Sequence, residues 1–364
     1  MKVLTKNNAN GEVSIREAPI PALPDGFVLV KNIFSSVSMG TESASVEIAK
    51  KNLLEKARSR PDDFKKVLAL VDRVGVCEAY KLSMSKLELP SPLGYSSAGI
   101  IVKISPGVRG LKVGDAVACG GCGHAELVSV PENLCSKIPD GVSFKDASYT
   151  TIASIALQGV RQSRATIGES VLVIGLGLIG QITMKILAAS GCKTFGTDIE
   201  EANIKLSKKL GFNASIRSES NLTNKLMQFT DGKGFDSVII TASTKSNDPL
   251  SFATDCVRDR GNITVVGDVK LELSRKKFYE KELSLILSRS YGAGRYEKNY
   301  EEKGYDYPIG YVRWTENRNM QSVLDMLQRK LFKFTDLNPI VKKFEESASL
   351  YDDLKSPGKK YLSA

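Results

Sequence analysis

The chain holds one histidine and one tryptophan in 364 residues, and aromatic residues of every kind make up only 7%. His124 is therefore the only side chain whose unperturbed pKa lies near neutrality. The apolar stretch over residues 171–189 is broken in its middle by Gln181 and Lys185, so it does not read as a membrane span. No basic segment followed by an apolar one opens the chain, and no secretory leader is expected. The six cysteines (Cys77, Cys119, Cys122, Cys135, Cys192, Cys256) are scattered rather than spaced as a disulfide framework, which suits a reducing cytoplasm. Internal repeats and low-complexity tracts are absent from the sequence.

What is present suits a soluble enzyme. At 42% hydrophobic and 25% charged residues, a chain this long can bury a sizeable core and is expected to form two domains. The net charge is +10, and its densest part is Lys50, Lys51, Lys56, Arg58, Arg60, Lys65 and Lys66. These cations are interleaved with acids in a helical-looking insert, the pattern of a solvated face. No nucleic-acid motif accompanies them, so neither nucleic acid nor membrane is an expected partner.

Residues 171–198, VLVIGLGLIGQITMKILAASGCKTFGTD, carry the strongest signal. Val171 to Ile174 suit a strand buried on both faces of a parallel sheet. Gly175 permits a tight turn, Gly177 lets a pyrophosphate approach the backbone, and Gly180 lets the next helix pack close. Ile179, Ile182, Ile186 and Ala189 repeat at helical spacing. The helix start, at Leu178 and Ile179, then aims free N–H groups and a positive dipole end at the phosphates. Asp198 closes the second strand, where a carboxylate accepts both ribose hydroxyls of the adenosine half. Ile199, Glu200 and Glu201 follow, with no cation for a 2′-phosphate, so NAD is the expected cofactor rather than NADP.

Organisation changes near residue 150. Before it come short strand-like runs at 27–30, 98–104, 115–118 and 127–130, broken by Gly and Pro. After it strands and helices alternate, with a helix over about 201–210 and strands at 237–241 and 262–267. That alternation predicts an α/β fold with a doubly wound parallel sheet and right-handed crossovers. It fades near Ser290 into a polar, aromatic stretch, SYGAGRYEKNYEEKGYDYPIGYVRWTENRNM, after which a helix over about 319–330 is expected.

A β-rich front half containing PLGYSSAGIIVKISPGVRGLKVGDAVA, followed by VLVIGLGLIG, resembles the medium-chain dehydrogenase/reductase family of zinc alcohol dehydrogenases. More narrowly, PLGYSSAG, ALQGVRQ, SRSYGAGRY and PIGYVRWTENRNM resemble the dehydrogenase half of bi-domain oxidoreductases from bacterial polysaccharide gene clusters. The resemblance implies a GroES-like β-rich catalytic domain over 1–150, a Rossmann NAD-binding domain over 151–291, and a return segment over 292–364 that completes the first. It also implies a homodimer and, in the bi-domain relatives, a following oxidoreductase domain.

Departures from the family pattern bear on the chemistry. Where the family places its catalytic zinc ligands, this chain has Met39 before Gly40, Thr41 and Glu42, and Tyr95 and Ser96 after Gly94; an ungapped count puts Thr150 at the third position. These are not the usual Cys, His and carboxylate ligands, so no catalytic zinc is expected. Cys119 and Cys122 form a CxxC with only Cys135 and His124 near, and read as ordinary thiols in a glycine-rich loop.

Without a Lewis acid, hydride transfer at a carbinol carbon needs a proton donor or acceptor at the oxygen. Tyr95 stands at a former ligand position, Thr41 where the family's relay hydroxyl stands, and Glu42 follows; these are the catalytic candidates. As a base, a phenol of pKa about 10 must be depressed by its surroundings. Ser154 and Thr241 are further candidates beside the nicotinamide, and His124, Arg295 and Tyr296 are candidates for the substrate. Arg295, Tyr296, Tyr305, Tyr307, Tyr311, Arg313, Trp314 and Arg318 mix cations with rings that stack on sugars, which suits an anionic sugar and equally suits a covered junction. The expected activity is zinc-independent, NAD-dependent oxidoreduction of a secondary hydroxyl or ketone on a sugar or nucleotide-sugar in surface polysaccharide synthesis. Two other readings stay open: a quinone or enoyl reductase using NADPH, and a non-catalytic NAD-binding module.

Overall fold

The computed structural model describes residues 1–52, 55–56, 61–353 and 362–364. Arg58 and Arg60 of the basic insert lie outside the described residues. The insert's helical reading holds around them, in helices Met39–Lys50 (α1), Pro61–Val74 and Val76–Glu88. Among the described residues no helix is long and apolar enough to cross a membrane.

Two antiparallel sheets form the front of the chain. Strands Lys2–Asn7 (β1), Val13–Glu17 (β2) and Pro90–Pro92 (β4) make one, in the order β2-β1-β4. Phe27–Ser35 (β3), Ser96–Ile104 (β5), Ala116–Gly120 (β6), Leu127–Pro131 (β7) and Cys135–Lys137 (β8) make the other, in the order β7-β3-β5-β6-β8. Its central pair, β3 with β5, shifts register twice, at Leu29/Val30 and at Asn32/Phe34. Such irregularities bend and twist a sheet, and this one curls accordingly.

Behind it lies a six-stranded parallel sheet made of Ser170–Ile174 (β9), Lys193–Asp198 (β10), Asn213–Ile216 (β11), Phe235–Ile240 (β12), Val257–Val265 (β13) and Ser284–Leu287 (β14). The order is β11-β10-β9-β12-β13-β14, with every pair parallel. Counted from β9 this is 3-2-1-4-5-6, the doubly wound dinucleotide order, whose crevice opens between β9 and β12 where the winding reverses. The apolar VLVI run is fully buried because helices cover both faces of the sheet.

Helix Thr150–Ser163 (α2) joins the two parts. One core cluster runs from Ala98 and Ala118 of the curled sheet, through Ile152, Ala153 and Ala156 of α2, to Val171, Val173 and Ile182. Helix Glu316–Gln328 (α4) packs on α2; it starts three residues before the sequence signal, because Thr315 caps it by accepting from Arg318 N–H. At this seam Arg161 stacks over Trp314, 3.2 Å from the ring centroid, and bonds Asn319 and Ser322. Arg313 lies 3.9 Å from the same centroid. The end of the chain returns to its beginning: Leu350 and Tyr351 share a core with Leu4, Val37, Met39 and Leu93. Val37 N–H donates to Ala364 O at 2.7 Å.

Candidate functional site

The glycine-rich turn has the geometry its letters imply. Gly175 has φ +94°, and a Cβ there would lie 2.6 Å from Ala242 N. At Gly180 a Cβ would meet Gly175 O at 1.9 Å, which is the close approach of helix to strand. At Gly177, by contrast, nothing lies within 4 Å. The space is open where a pyrophosphate would sit. Gly177 starts helix Leu178–Ala189 (α3) with no side-chain cap, so the N–H groups of its first turn, Leu178 and Ile179 among them, remain available to an anion.

Asp198 stands at the end of β10 and is 8% exposed. Its Oδ2 accepts Leu176 N–H at 2.5 Å and the Asn203 amide at 3.1 Å, and its Oδ1 accepts Glu200 N–H at 2.7 Å. The acid is thus fastened to the glycine turn, and Oδ1 keeps acceptor capacity for a diol. The donor set fits a dinucleotide.

The Ser154 and Thr241 hydroxyls both donate to backbone. Ser154 is fully buried and its hydroxyl donates back to Thr150 O within α2 at 2.8 Å. Thr241 donates to Gly175 O at 2.5 Å. Both hydroxyls spend their proton on backbone, and Thr241 thereby holds the glycine turn in shape.

Tyr95, Thr41 and Glu42 do come together. The Tyr95 ring is partly exposed while its hydroxyl is buried without a well-formed hydrogen bond; the Ser38 and Thr41 hydroxyls lie beside it. Burial pushes the phenol's pKa up, those hydroxyls pull it down less, and the Glu42 charge raises it further. Thr150 is fully buried and its hydroxyl also lacks a partner. Thr41 is exposed at the start of α1, with its hydroxyl 3.5 Å from Ser38 Oγ.

Glu42 is 4% exposed and fully engaged. Its Oε1 accepts Ser38 N–H at 3.1 Å. Its Oε2 accepts the Tyr351 hydroxyl at 2.5 Å and His124 Nε2 at 3.1 Å. Burial and the Glu42 charge both push the Tyr351 pKa up, so that phenol stays a donor.

The substrate expectations are revised by these contacts. His124 is not on an open loop: it is 2% exposed, with Nδ1 2.8 Å from Ser35 Oγ. Its ring lies against Gly94, where a Cβ would come within 2.7 Å of Nε2. Arg295 is paired with Glu301 at 2.6 Å and stacks near Tyr291 and Tyr296, so an acid of its own loop already meets its charge. Tyr296 remains 60% exposed. Among the described residues no hydrogen bond, ion pair or ring contact joins Arg295 or Tyr296 to Tyr95, Thr41 or Glu42. Arg318 is likewise paired, with Asp306.

The donors present do not fit the family's zinc. Met39, Tyr95 and Thr150 stand at its ligand positions, and Glu42 and His124 are committed to one another. Among the described residues no three His, Cys, Asp or Glu side chains lie close enough to share an ion. Cys119, Cys122 and Cys135 are buried free thiols, with Cys119 Sγ 3.8 Å from Cys135 Sγ and Cys122 Sγ 3.0 Å from Ser97 Oγ. Burial pushes the Cys122 thiol up, away from the thiolate a metal needs.

A zinc-binding dehydrogenase model matches residues 179–303, and an alcohol dehydrogenase GroES-like domain model matches residues 64–140. The chain is 24% identical over 263 residues to a 2-dehydro-3-deoxy-L-galactonate 5-dehydrogenase of Pseudoalteromonas atlantica, covering 62% of this chain and 76% of that one. Galactitol-1-phosphate dehydrogenase from Escherichia coli superimposes with a TM-score of 0.74 at 18% identity, over 99% of this chain and 98% of that one. A protein described as a short chain alcohol dehydrogenase from E. coli CFT073, complexed with NADH, superimposes with a TM-score of 0.73 at 19% identity, over 100% of this chain and 98% of that one. With two models of one family together spanning more than half of it, and a full-length fold in common with dehydrogenases, this chain belongs to the medium-chain, zinc-type dehydrogenase family and is an oxidoreductase.

Proposed function

We propose that the chain is a zinc-independent, NAD-dependent oxidoreductase acting on a secondary hydroxyl or ketone of a sugar or nucleotide-sugar derivative, in surface polysaccharide synthesis. The observation that carries this reading is the pair of buried hydroxyls without a well-formed hydrogen bond, on Tyr95 and Thr150, at two positions where the resemblance places the family's metal ligands. Leaving such a group unpaired costs about 1–3 kcal/mol, which a bond to a substrate oxygen would relieve. The polysaccharide setting rests on the resemblance of PLGYSSAG and PIGYVRWTENRNM to the bi-domain enzymes. A sugar or polyol substrate accords with relatives named for a deoxygalactonate and for galactitol 1-phosphate.

The bound cofactor supplies hydride exchange at its nicotinamide ring. Asp198 selects NAD by accepting the ribose diol and repelling a 2′-phosphate. Tyr95 handles the proton at the substrate oxygen. Burial raises its pKa, so at neutral pH the phenol is in its protonated form, the form that donates to a ketone. Thr41 orients the oxygen from the exposed side. Residues 1–150 and 292–364 hold the substrate against the cofactor part at 151–291, and the working form is a cytoplasmic homodimer.

The test begins with fluorescence titrations with NADH and NADPH on protein of known metal content, followed by NADH oxidation with 2-ketoses such as D-xylulose. NADH should bind more tightly than NADPH. Tyr95→Phe should lower kcat by about 100-fold or more with the NADH affinity unchanged. Retained activity in Tyr95→Phe, or loss of activity on chelation of a stoichiometric metal, defeats the reading.

A further inference from the structure

A cavity of about 450 Å³ lies apart from the cleft between the two parts of the molecule. The end of β3 and the residues after it, as far as Val37, form one side, and the returning segment between Pro339 and Ser347 forms another. No residue of the cofactor part at 151–291 lines it, and neither do Tyr95, Thr41, Glu42 or Thr150. Its volume suits a small metabolite, and its walls have the mixture such sites use, apolar surface with a few polar groups.

The polar groups are of two kinds. Lys145, on the short helix Phe144–Ala147, and Lys343, on the returning segment, carry ammonium groups that no hydrogen bond or ion pair holds among the described residues. Lys342 lines the cavity too, and donates to Ser349 Oγ at 2.7 Å. Glu126 is the acid that faces them, with Oε2 taken up by Lys2 N–H at 2.7 Å. Even with the carboxyl end at Ala364 counted beside Glu126, three ammonium groups leave a positive excess.

Deeper in the wall stand two acceptors. The Asn32 amide donates to Ala125 O at 2.8 Å, and its Oδ1 is buried without a partner. Ser35 Oγ lies 2.8 Å from His124 Nδ1. Facing the Glu42 carboxylate, Nε2 of a neutral imidazole donates, so Nδ1 takes the Ser35 proton and leaves the Ser35 oxygen free to accept. Cations outside and acceptors inside call for a ligand that brings negative charge at one end and hydroxyl hydrogens at the other.

We propose that this cavity is an accessory binding site for a small hydroxylated anion, a sugar phosphate or a sugar acid. The anionic group meets Lys145 and Lys343, hydroxyls donate to Asn32 Oδ1 and Ser35 Oγ, and the carbon skeleton lies against Ile340 and Phe344. An occupant held by both lysines ties the returning segment to the β-rich part, so binding stabilises the fold.

Titration calorimetry with D-glucose 6-phosphate and D-gluconate tests this, on protein holding NADH so that the start of α3 is covered. Wild type should bind at least one of them at one per chain, about tenfold or more tighter than inorganic phosphate or D-glucose. Preference for the first identifies a phosphate as the anion, and for the second a carboxylate. Lys145→Ala and Lys343→Ala should each weaken the bound probe about tenfold, with the ligand-free melting temperature and the NADH affinity unchanged. The probe should raise the melting temperature of wild type and not of the double variant. No saturable binding of either probe up to about 10 mM, or equal affinity in wild type and the double variant, overturns the site. Inorganic phosphate bound as tightly as the sugars overturns the hydroxyl contacts. The site does not depend on the dehydrogenase reading: should NADH fail to bind, the same titrations of the chain alone, with the lysine variants, decide it.

Discussion

Glu316 begins α4 fully buried, with neither carboxylate oxygen bonded to any described group. Burial, aided by the charge of Glu301, pushes its pKa up to about 8, so it is largely neutral at pH 7. In the unfolded chain it ionises near its ordinary value of 4.5. Its folded pKa is the higher one, so the contribution to stability is complete below about pH 4.5 and is lost as pH rises towards 8. The loss is on the order of a few kcal/mol. Glu316→Gln should flatten that slope; urea unfolding midpoints from pH 5 to 8.5 measure it, and equal slopes in both proteins would contradict the assignment. Nothing in the local sequence marks this acid, because burial is decided by its packing partners. The same holds for the Glu42 cluster: His124 lies 82 residues away and Tyr351 309 residues away. The Arg295 pair is hidden for a related reason, since a cation reads as free in the sequence until the fold brings Glu301 to it.

At the scale of an element, the strand, turn and helix over 170–189 were legible because their requirements are local. A Gly-rich turn, a buried strand and a periodic helix act on neighbouring residues, and Asp198 is tied straight back to the turn at Leu176. The two glycines nevertheless do different work. Gly177→Ala adds a methyl into open space and should leave the melting temperature within about a degree while weakening NADH at least tenfold. Gly180→Ala drives a methyl into Gly175 O, so it should lower the melting temperature and the affinity together. Calorimetry beside cofactor titration separates them; equal effects would mean that Gly177 is a packing residue too. The curled antiparallel sheet was less legible. Its short strands were visible, but their order and the register shifts of β3 depend on partners some 70 residues apart in the chain.

For the whole molecule, the last residues close the structure onto its front. Beyond the Val37 bond to Ala364, Ile340 N–H donates to Ser363 O at 3.2 Å and the Tyr149 hydroxyl bonds Ser363 Oγ at 3.0 Å. At roughly 1 kcal/mol each, these bonds are worth about 3 kcal/mol. Deleting Leu362 to Ala364 should therefore lower the melting temperature by several degrees and reduce turnover, because Val37 and Ser38 lead into the Tyr95 site. An unchanged melt and rate would show these bonds to be incidental. The seam between α2 and the crossing segment has a separate consequence. Two guanidinium groups within 4 Å of one ring centroid cannot share a face, so Arg161 and Arg313 enclose Trp314 from both sides. That indole is the molecule's only one, and any shift of α2 against the crossing segment alters what encloses it. The protein therefore carries a built-in, label-free optical gauge of this one seam, readable as a change in emission colour and lifetime.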